Sequence, residues 1–462
     1  MSMHEWVAKW QNINLFDCFD GQHLNVMVVQ NEASRVFECI EEINQYLLEA
    51  ESSRTLINRS PAMPRGKVVF LFFDQTIEAT CRNLGVEIAL PRHALVRDMD
   101  SKIVTTEVGI QAGVSSVPCV LTQIASYDDL RKAAQSGGFG ERCVVQTAYG
   151  DSGKTTYFIS TESDYKRVSR SIEKEERVKV MRWIRCTGSA IEACATRWGT
   201  FVGPLMTELI GIDTLTPYPG GWCGNELYEA AFTPEIRRQV RDKTQAMGDA
   251  LYERGYRGYF ELDYLIDLDT NEVFLGELNA RITGISAMTN SSDFCESTIP
   301  LFLFHLLEFD DGCEIDIDVD AYNQMVLEHG AIGVASQVIL KYTDDPLKIV
   351  TRAPVSGVYT MDDTGTLVLK NAGYRRRDAL AENEAYVMRI IRTGECAYKG
   401  GDLGIMFMNC VIRNTEGVLN ADGVRWVTAL KACFEFRNLN QIERSRVELE
   451  YNPANAKSGR SQ

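Results

Sequence analysis

The chain has 462 residues, with 48 Lys and Arg against 64 Asp and Glu and a formal net charge of −16. This charge argues against a nucleic acid or an anionic membrane as the main partner, because both attract basic surfaces. No apolar run reaches the roughly 18 residues that a membrane-spanning helix needs, and residues 1–11 do not resemble a targeting peptide. We therefore expect a cytoplasmic protein.

The 13 cysteines and 5 histidines limit the chemistry further. No two cysteines form a C-x-x-C pair, and most lie within apolar runs, which is typical of reduced thiols in a protein core. The histidines are scattered along the chain, so nothing in their spacing indicates a histidine-based metal site.

The N-terminal part contains two strand-like runs, at 24–29 and 68–73, with a helical stretch at 33–50 between them. Strand, helix and strand in this order predict a small α/β domain with parallel strands. We place its boundary at residues 1–95.

The middle of the chain alternates strands and helices from about 100 to 180 and is then rich in strands at 180–212 and 256–278. A helix is predicted at 233–254, because Thr233 is a good N-cap and Pro234 suits the first helical position.

The segment 282–340 contains no Lys or Arg but ten acidic residues, which predicts a solvated linker and helix surface. Short β runs follow from about 330 to 440 and end in a helix at 423–434, which predicts a separate α+β domain. The remaining boundaries are therefore drawn at 96–290, 291–330, 331–445 and a tail at 446–462, with a flap subdomain at about 100–180.

A glycine-rich loop at 150–153 is the first chemical signal. Glycines let backbone amides approach phosphate oxygens, and Lys154 adds positive charge. The loop nearly matches a P-loop, but Ala148 replaces the first glycine, and the β-branched and aromatic run 155–159 follows where a P-loop needs a helix. We therefore expect a hairpin that covers phosphates, with an ordinary hairpin turn as the alternative.

The segment 258–281 predicts a second hairpin with acidic side chains inside apolar strands. A period of two residues places Glu261 and Asp263 on one face of the first strand, and Glu277 and Asn279 on one face of the second. Carboxylates in such strands are costly unless they are paired or bind metal.

Asp263, Glu277 and Asn279 supply the hard oxygen ligands that suit Mg²⁺ on nucleotide phosphates. Arg281 lies two residues further along the same face and suits an anionic substrate or a transferring phosphate. An ordinary polar sheet face with a surface arginine is the alternative.

In their order along the chain, these pieces resemble the ATP-grasp superfamily. Asp100-Ser101-Lys102 is similar to the family's D-K segment, 150–153 to its glycine-rich flap, 179–184 to its hinge strand, and Asp263…Glu277-x-Asn279-x-Arg281 to its metal and substrate motif. The resemblance implies an α/β and α+β chain with an ATP-grasp fold, an N-terminal α/β domain and a C-terminal α+β domain that is loosely similar to that of biotin carboxylase.

The resemblance also implies site residues and ligands. ATP and Mg²⁺ or Mn²⁺ are the expected cofactors, with Asp263, Glu277 and Asn279 on the metal and Arg281 as the catalytic residue. The ATP-binding residues would be Lys102, Gln146, Gly150, Ser152, Gly153, Lys154, Arg182, Trp183 and Ile184, and the substrate residues Arg281, Thr283, Gly284, Ser286 and Glu208.

One position departs from the family pattern. Gln146 stands at the end of the strand before the flap, where the family has its second ATP lysine. Gln146 can form a hydrogen bond with a phosphate but carries no charge. Lys154, at the far end of the flap, is one candidate to compensate, and its alternative is a solvated turn lysine.

The resemblance is strongest to L-amino-acid ligases and implies an ADP-forming carboxylate–amine ligase. Such an enzyme phosphorylates a carboxylate, here an amino acid or a related acid, and an amine then attacks the acyl-phosphate. A biotin-carboxylase-like enzyme is the rival, but it needs a glutamate four residues after Arg281, where Ile285 stands. A non-catalytic ATP-binding relative also stays open because of Gln146. The expected partners are the two small-molecule substrates, and a homodimer is a further expectation.

Overall fold

The computed structural model describes residues 3–15, 23–30, 37–59, 65–150, 155–373, 375–379, 381–414, 416–441 and 443–444. In this part of the chain no helix is long and apolar enough to cross a membrane. The twelve described cysteines are free thiols.

The helices are α1 Ile40–Glu49, α2 Glu51–Asn58, α3 Gln75–Leu84, α4 His93–Met99, α5 Lys102–Gln111, α6 Tyr127–Ser136, α7 Glu162–Glu173, α8 Pro234–Glu253, α9 Ser286–Asn290, α10 Asp293–Ser297, α11 Leu301–Glu308, α12 Val319–His329 and α13 Ala421–Ala432. The strands are β1 Asn12–Asn14, β2 Val26–Val28, β3 Lys67–Val68, β4 Glu87–Ile88, β5 Cys119–Thr122, β6 Cys143–Gln146, β7 Thr156–Ile159, β8 Val178–Arg182, β9 Cys186–Thr196, β10 Gly199–Val202, β11 Met206–Ile210, β12 Trp222–Leu227, β13 Gly258–Asp267, β14 Val273–Asn279, β15 Ala335–Lys341, β16 Lys348–Arg352, β17 Gly357–Met361, β18 Leu367–Asn371, β19 Glu384–Arg389, β20 Cys396–Ala397, β21 Asp402–Met408 and β22 Glu435–Asn438.

The chain divides into two compact units, which are described separately. The first unit comprises 54–208 and 224–335, and the second comprises the described residues of 2–53, 209–223 and 336–462. All the candidate site residues in the described part of the chain belong to the first unit.

The first unit has a core on the antiparallel sheet that β9, β13 and β14 form with β10. Helix α8 covers this sheet, and it begins as predicted, with the Thr233 hydroxyl accepting from the amide of Ile236 and Pro234 in its first turn. Its apolar side, including Val240 and Met247, packs into one cluster with Phe260 of β13. Burial of this face holds the helix on the sheet, because its apolar spacing follows the helical period.

A second sheet of the first unit has the strand order β5, β8, β6, β7 and is antiparallel throughout. One face is covered by α6 and α7 through Leu130 and Ile172. Along each strand alternate residues point to opposite faces. Val144 and Met181 therefore lie on the other face, where they pack against Phe274 of β14. The two sheets of this unit thus meet along β14.

The short strands near the N-terminus differ from the prediction. Strand β2, within the predicted run 24–29, pairs in parallel with β1, whereas β3, which overlaps the predicted run 68–73 only at Val68, pairs in parallel with β4. The two runs therefore belong to different sheets and to different units. Strands of two or three residues carry too little pattern to indicate which neighbour they pair with.

The second unit contains the antiparallel strands β15, β21, β19, β17 and β18 and the smaller sheet β20, β16, β22. Helix α13 packs on them through Trp426 and Leu430. The predicted closing helix is confirmed in this unit. The segment 282–340, predicted as a solvated linker and helix surface, contains the helices α9, α10, α11 and α12, and α11 is largely buried.

Candidate functional site

The acidic hairpin of β13 and β14 forms the floor of the candidate site. Asp263 lies opposite Glu277, and Glu261 lies opposite Asn279. The Asn279 side chain donates to Asp263 Oδ2 at 3.3 Å. Burial, together with the carboxylates of Glu261 and Glu277, raises the pKa of Asp263 well above its usual range. A cation at this point would relieve the repulsion among the carboxylates.

The donors fit a hard divalent cation only with help from other ligands. Among the described residues no group of three or more His, Cys, Asp or Glu side chains is placed to hold a metal ion by itself. One face of the hairpin supplies the carboxylate oxygens of Asp263 and Glu277 and the side-chain amide oxygen of Asn279. Mg²⁺ usually keeps several waters and binds one or two carboxylates plus phosphate oxygens. The set therefore suits Mg²⁺ that arrives with a nucleotide.

Lys102 connects three elements around this floor. It is the first residue of α5, which the hydroxyl of Ser101 caps. Its Nζ donates to Glu277 Oε1 at 2.7 Å and to the carbonyl oxygen of Gly150 at 2.8 Å. The side chain is only 3% exposed, so the ammonium group depends on these partners. Helix α5, the hairpin and the loop after β6 therefore meet at one positive charge.

The predicted flap is a hairpin of β6 and β7, with Gln146 opposite Thr156. A strand follows the loop, so the arrangement is not a P-loop. Gly150 has a φ of 149°, and a Cβ atom there would lie 2.2 Å from the Thr155 side chain. This position therefore requires glycine. The predicted contacts Ser152, Gly153 and Lys154 lie outside the described residues.

The predicted hinge lies at the end of β8 and adjoins an apolar surface. Arg182 ends the strand opposite Cys143 of β6. Trp183 and Ile184 follow and pack against a buried cluster between the two sheets. The guanidinium carbon of Arg142 lies 3.9 Å from the centre of the Trp183 ring. The cluster comprises Val117, Val144, Met181 and Phe274. An apolar surface of this kind suits a flat aromatic base.

Arg281 follows β14 and faces the acidic residues of the hairpin. Its charge lowers the pKa values of Glu261 and Asp263 against the dominant effect of burial. The guanidinium carbon lies 5.0 Å from the centre of the Phe72 ring. Glu208 is half-buried, and its charge adds to the rise in the pKa of Glu261. Arg281 and Glu208 thus act in opposite directions on the pKa of Glu261.

The predicted substrate residues after Arg281 are held by a carboxylate that the sequence reading missed. Glu192 of β9 is fully buried and accepts hydrogen bonds from the hydroxyls of Thr283, Ser286 and Tyr259. Ser286 is buried and begins α9, whereas Gly284 is exposed. Glu192 therefore holds in place the loop that follows β14, through Thr283 and Ser286. Its signal in the sequence is one acidic residue inside an apolar strand.

Glu192 lies directly opposite Glu261 in the paired strands β9 and β13. Burial raises the pKa of Glu192 to about 7 and that of Glu261 to about 8. The folded protein therefore holds protons on these groups more tightly than the unfolded chain does. The stability that this proton binding contributes is full below the unfolded pKa and is lost as the pH rises through the folded pKa.

We expect Glu192→Gln to reveal this effect, because glutamine mimics the protonated acid and does not titrate. The melting temperature of the wild type minus that of the variant should fall as the pH rises from 4.5 to 7, measured by thermal scans in matched buffers. Glu229→Gln, at an exposed position, is the control and should give a constant difference. A Glu192→Gln difference that is constant or grows with pH would contradict the assignment.

No protein-family model matches the chain. Among curated proteins, it is similar to the [butirosin acyl-carrier protein]–L-glutamate ligase of Niallia circulans, with 21% identity over 286 residues, which are 58% of this chain and 67% of the relative.

Solved structures match over more of the chain. The biotin carboxylase of Campylobacter jejuni, in a complex with β,γ-ATP, has a TM-score of 0.57 and 11% identity, and the match covers 85% of this chain and 80% of that one. The phosphoribosylamine–glycine ligase of Thermotoga maritima has a TM-score of 0.52 and 12% identity, with 84% and 87% covered. The chain has the ATP-grasp fold.

A third ATP-grasp structure covers most of both chains. It is the biotin carboxylase domain dimer of the Hydrogenobacter thermophilus 2-oxoglutarate carboxylase, solved with MgADP and bicarbonate, with a TM-score of 0.54, 11% identity and 93% and 86% coverage. At such identities the likeness shows the fold. The ATP-grasp fold predicted from the motifs is therefore confirmed, and the roles of individual residues stay predictions.

Proposed function

We propose that the chain is an ATP-dependent, ADP-forming ligase that joins a carboxylate to an amine through an acyl-phosphate. The observation that carries the proposal is the facing pair Asp263 and Glu277, with Asn279 beside it and Lys102 on Glu277 at 2.7 Å. This arrangement has oxygen ligands for a metal and a cation for phosphate at one point between two sheets. The ligase relative and the ATP-grasp fold support the same class of reaction.

The chain's own groups divide the work of binding. The apolar cluster beside Trp183 and Ile184 would take the adenine base, and Arg142 on the Trp183 ring would hold that ring in place. Lys102 would bind phosphate oxygens, together with the backbone of the loop at Gly150. Asp263, Glu277 and Asn279 would hold Mg²⁺ or Mn²⁺, which neutralises charge on the phosphates as they react.

Arg281 would act on the transferred phosphoryl group and on the substrate carboxylate. A guanidinium group forms two parallel hydrogen bonds with such oxyanions, and its value is greatest where charge develops in the transition state. Phe72 supports the guanidinium from one side. No protein nucleophile is needed, because the phosphoryl group passes directly to the carboxylate and the amine then displaces phosphate.

The acceptor side of the site is the Glu208 side. The charge of Glu208 raises the pKa of Glu261 and would create negative potential there. Negative potential attracts an ammonium group, which suits an amine or amino-acid acceptor. The curated relative acts on L-glutamate and an acyl-carrier protein, so an α-amino acid is the first carboxylate to test, and an acyl-carrier protein is an alternative acceptor.

The rival bicarbonate chemistry lacks its base. Ile285 occupies the position four residues after Arg281 and is buried, and the Thr283 hydroxyl donates a hydrogen bond to Glu192. Among the described residues nothing in this loop can deprotonate bicarbonate. We therefore favour amide formation over carboxylation, within the cytoplasm and with small-molecule substrates.

The test is a substrate screen with ATP and Mg²⁺. L-Glutamate and pools of other amino acids are offered with amines or with an acyl-carrier protein, and phosphate, nucleotide and product masses are measured. We expect phosphate and ADP only when both a carboxylate and an acceptor are present. Release of AMP would overturn the acyl-phosphate route. ATP binding without turnover in any pool would favour a non-catalytic ATP-binding protein.

A further inference from the structure

Lys179 is a fully buried lysine that no prediction above uses for phosphate. It lies in β8 and is 1% exposed. Its Nζ donates to the hydroxyl of Ser116 at 3.1 Å, and Ser116 pairs with Leu275 of β14. Within the described residues this is its one hydrogen bond, and no carboxylate there forms an ion pair with it. A lysine ammonium has three donors, so two of them have no partner in this part of the chain.

A buried ammonium group with a single hydroxyl partner is costly to the fold. Burial is the main cause that lowers the pKa of Lys179 to about 8; the charge of Lys102 acts in the same direction, and Cys119 and Glu277 oppose it. Replacement by an apolar side chain would remove this cost. A role outside stability is therefore the better account of a lysine at this position.

The strand register places Lys179 next to Gln146. The two residues are direct partners in the antiparallel pair β6 and β8, so their side chains leave the same face of the sheet about 5 Å apart. That face also carries Val144 and Met181, which pack against Phe274 of β14. Lys179 therefore lies on the face that turns toward β14, near enough to Lys102 and Glu277 for their charges to act on it.

Gln146 is neutral, so it supplies no positive charge for a phosphate at this point. Its Nε2 donates to the hydroxyl of Thr156 at 3.1 Å, and its Oε1 is buried without a partner among the described residues. An unpartnered carbonyl oxygen cannot attract a phosphate. The carboxylate of Glu277 would repel one, and Lys102 already pairs with Glu277.

From this geometry we infer that Lys179 is a phosphate-binding residue that provides, from β8, the positive charge that Gln146 lacks on β6. The inference rests on the proposed ATP site. In it, the two remaining N–H donors of Lys179 bind phosphate oxygens of the nucleotide, while Ser116 anchors the third. The step is binding alone, with no bond made or broken in the protein.

The test compares Lys179→Met with the wild type by calorimetric titration with ATP and with adenosine. We expect the variant to bind ATP about 10- to 100-fold more weakly, since hydrogen bonds to charged groups are the strong ones. Adenosine affinity should not change, because adenosine carries no phosphate. Lys174→Met, at an exposed residue of the same unit, is the matched control and should bind both ligands normally.

Two further measurements separate phosphate binding from a structural role. Without ligand, the melting temperature of Lys179→Met should equal or exceed that of the wild type, whereas ATP should raise it less. The double variant Gln146→Lys/Lys179→Met should regain ATP affinity, because it returns the charge from the neighbouring strand. If the methionine variant does not fold, Lys179→Gln serves in the same titrations.

The outcomes are distinct. Unchanged ATP affinity in Lys179→Met, or equal losses of ATP and adenosine affinity, would overturn the role of Lys179 while leaving the ATP site intact. Failure of the wild type to bind ATP would overturn the proposed function itself.

Discussion

Replacing Glu277 by glutamine should reduce turnover by at least about 100-fold, the loss expected when one preorganised charge-stabilising group is removed. The variant has nearly the same shape but loses the negative charge that would bind the metal. It also weakens the pair with Lys102, whose ammonium group is buried and then keeps only the carbonyl of Gly150 as a strong partner. Turnover is measured as the ADP released with both substrates present.

Two controls keep this result specific. Glu272→Gln changes an exposed carboxylate at the turn of the same hairpin and should leave turnover unchanged. The Mg²⁺ dependence of Glu277→Gln should move to higher concentrations if any activity remains. Near-normal turnover at ordinary Mg²⁺ would remove Glu277 from the metal site.

Replacement of Arg281 should lower kcat by about 100- to 1,000-fold while ATP affinity changes little. Its charge faces Glu261 and Asp263, where the phosphoryl group would pass to the carboxylate. Arg281→Lys keeps the charge but loses the planar pair of donors, so it should recover only part of the activity that Arg281→Met loses.

The comparison uses kcat from steady-state assays and ATP affinity from titration. Arg170→Met, at an exposed position of α7, is the control for the loss of an arginine and should behave as the wild type. A large loss of ATP affinity with an unchanged kcat would reassign Arg281 to ground-state nucleotide binding.

The hairpin of the site was predictable because its signal is local. Alternation along 258–281 predicts Glu261 and Asp263 on one face of the first strand and Glu277 and Asn279 on one face of the second, and the register of β13 and β14 then sets them opposite each other. The β-branched run after the flap likewise indicated a strand, which the structure confirms as β7. Both predictions depend only on the two-residue period of a strand and on short turns between neighbours.

The contacts that the sequence analysis missed depend on pairing between strands that are distant in the sequence. Gln146 and Lys179 become partners through the register of β6 and β8, and Glu192 meets Glu261 through β9 and β13. Neither register can be read from the residues around one strand alone. The prediction that the two N-terminal runs belong to one parallel α/β domain was wrong for a related reason. The strands β2 and β3 have only two or three residues, which do not specify a pairing partner.

The hydrogen bonds of Lys102 would couple the binding of a metal ion to the binding of a nucleotide. Its ammonium group is shared between Glu277 and the loop carbonyl of Gly150, so a phosphate must compete with Glu277 for the same donors. If Glu277 bound a metal ion instead, Lys102 would be released toward the phosphate. Metal and nucleotide affinities would then be thermodynamically linked, and each ligand would raise the affinity for the other by the same factor. In this protein a single shared hydrogen-bond donor, the ammonium group of Lys102, would make the metal a positive effector of nucleotide binding.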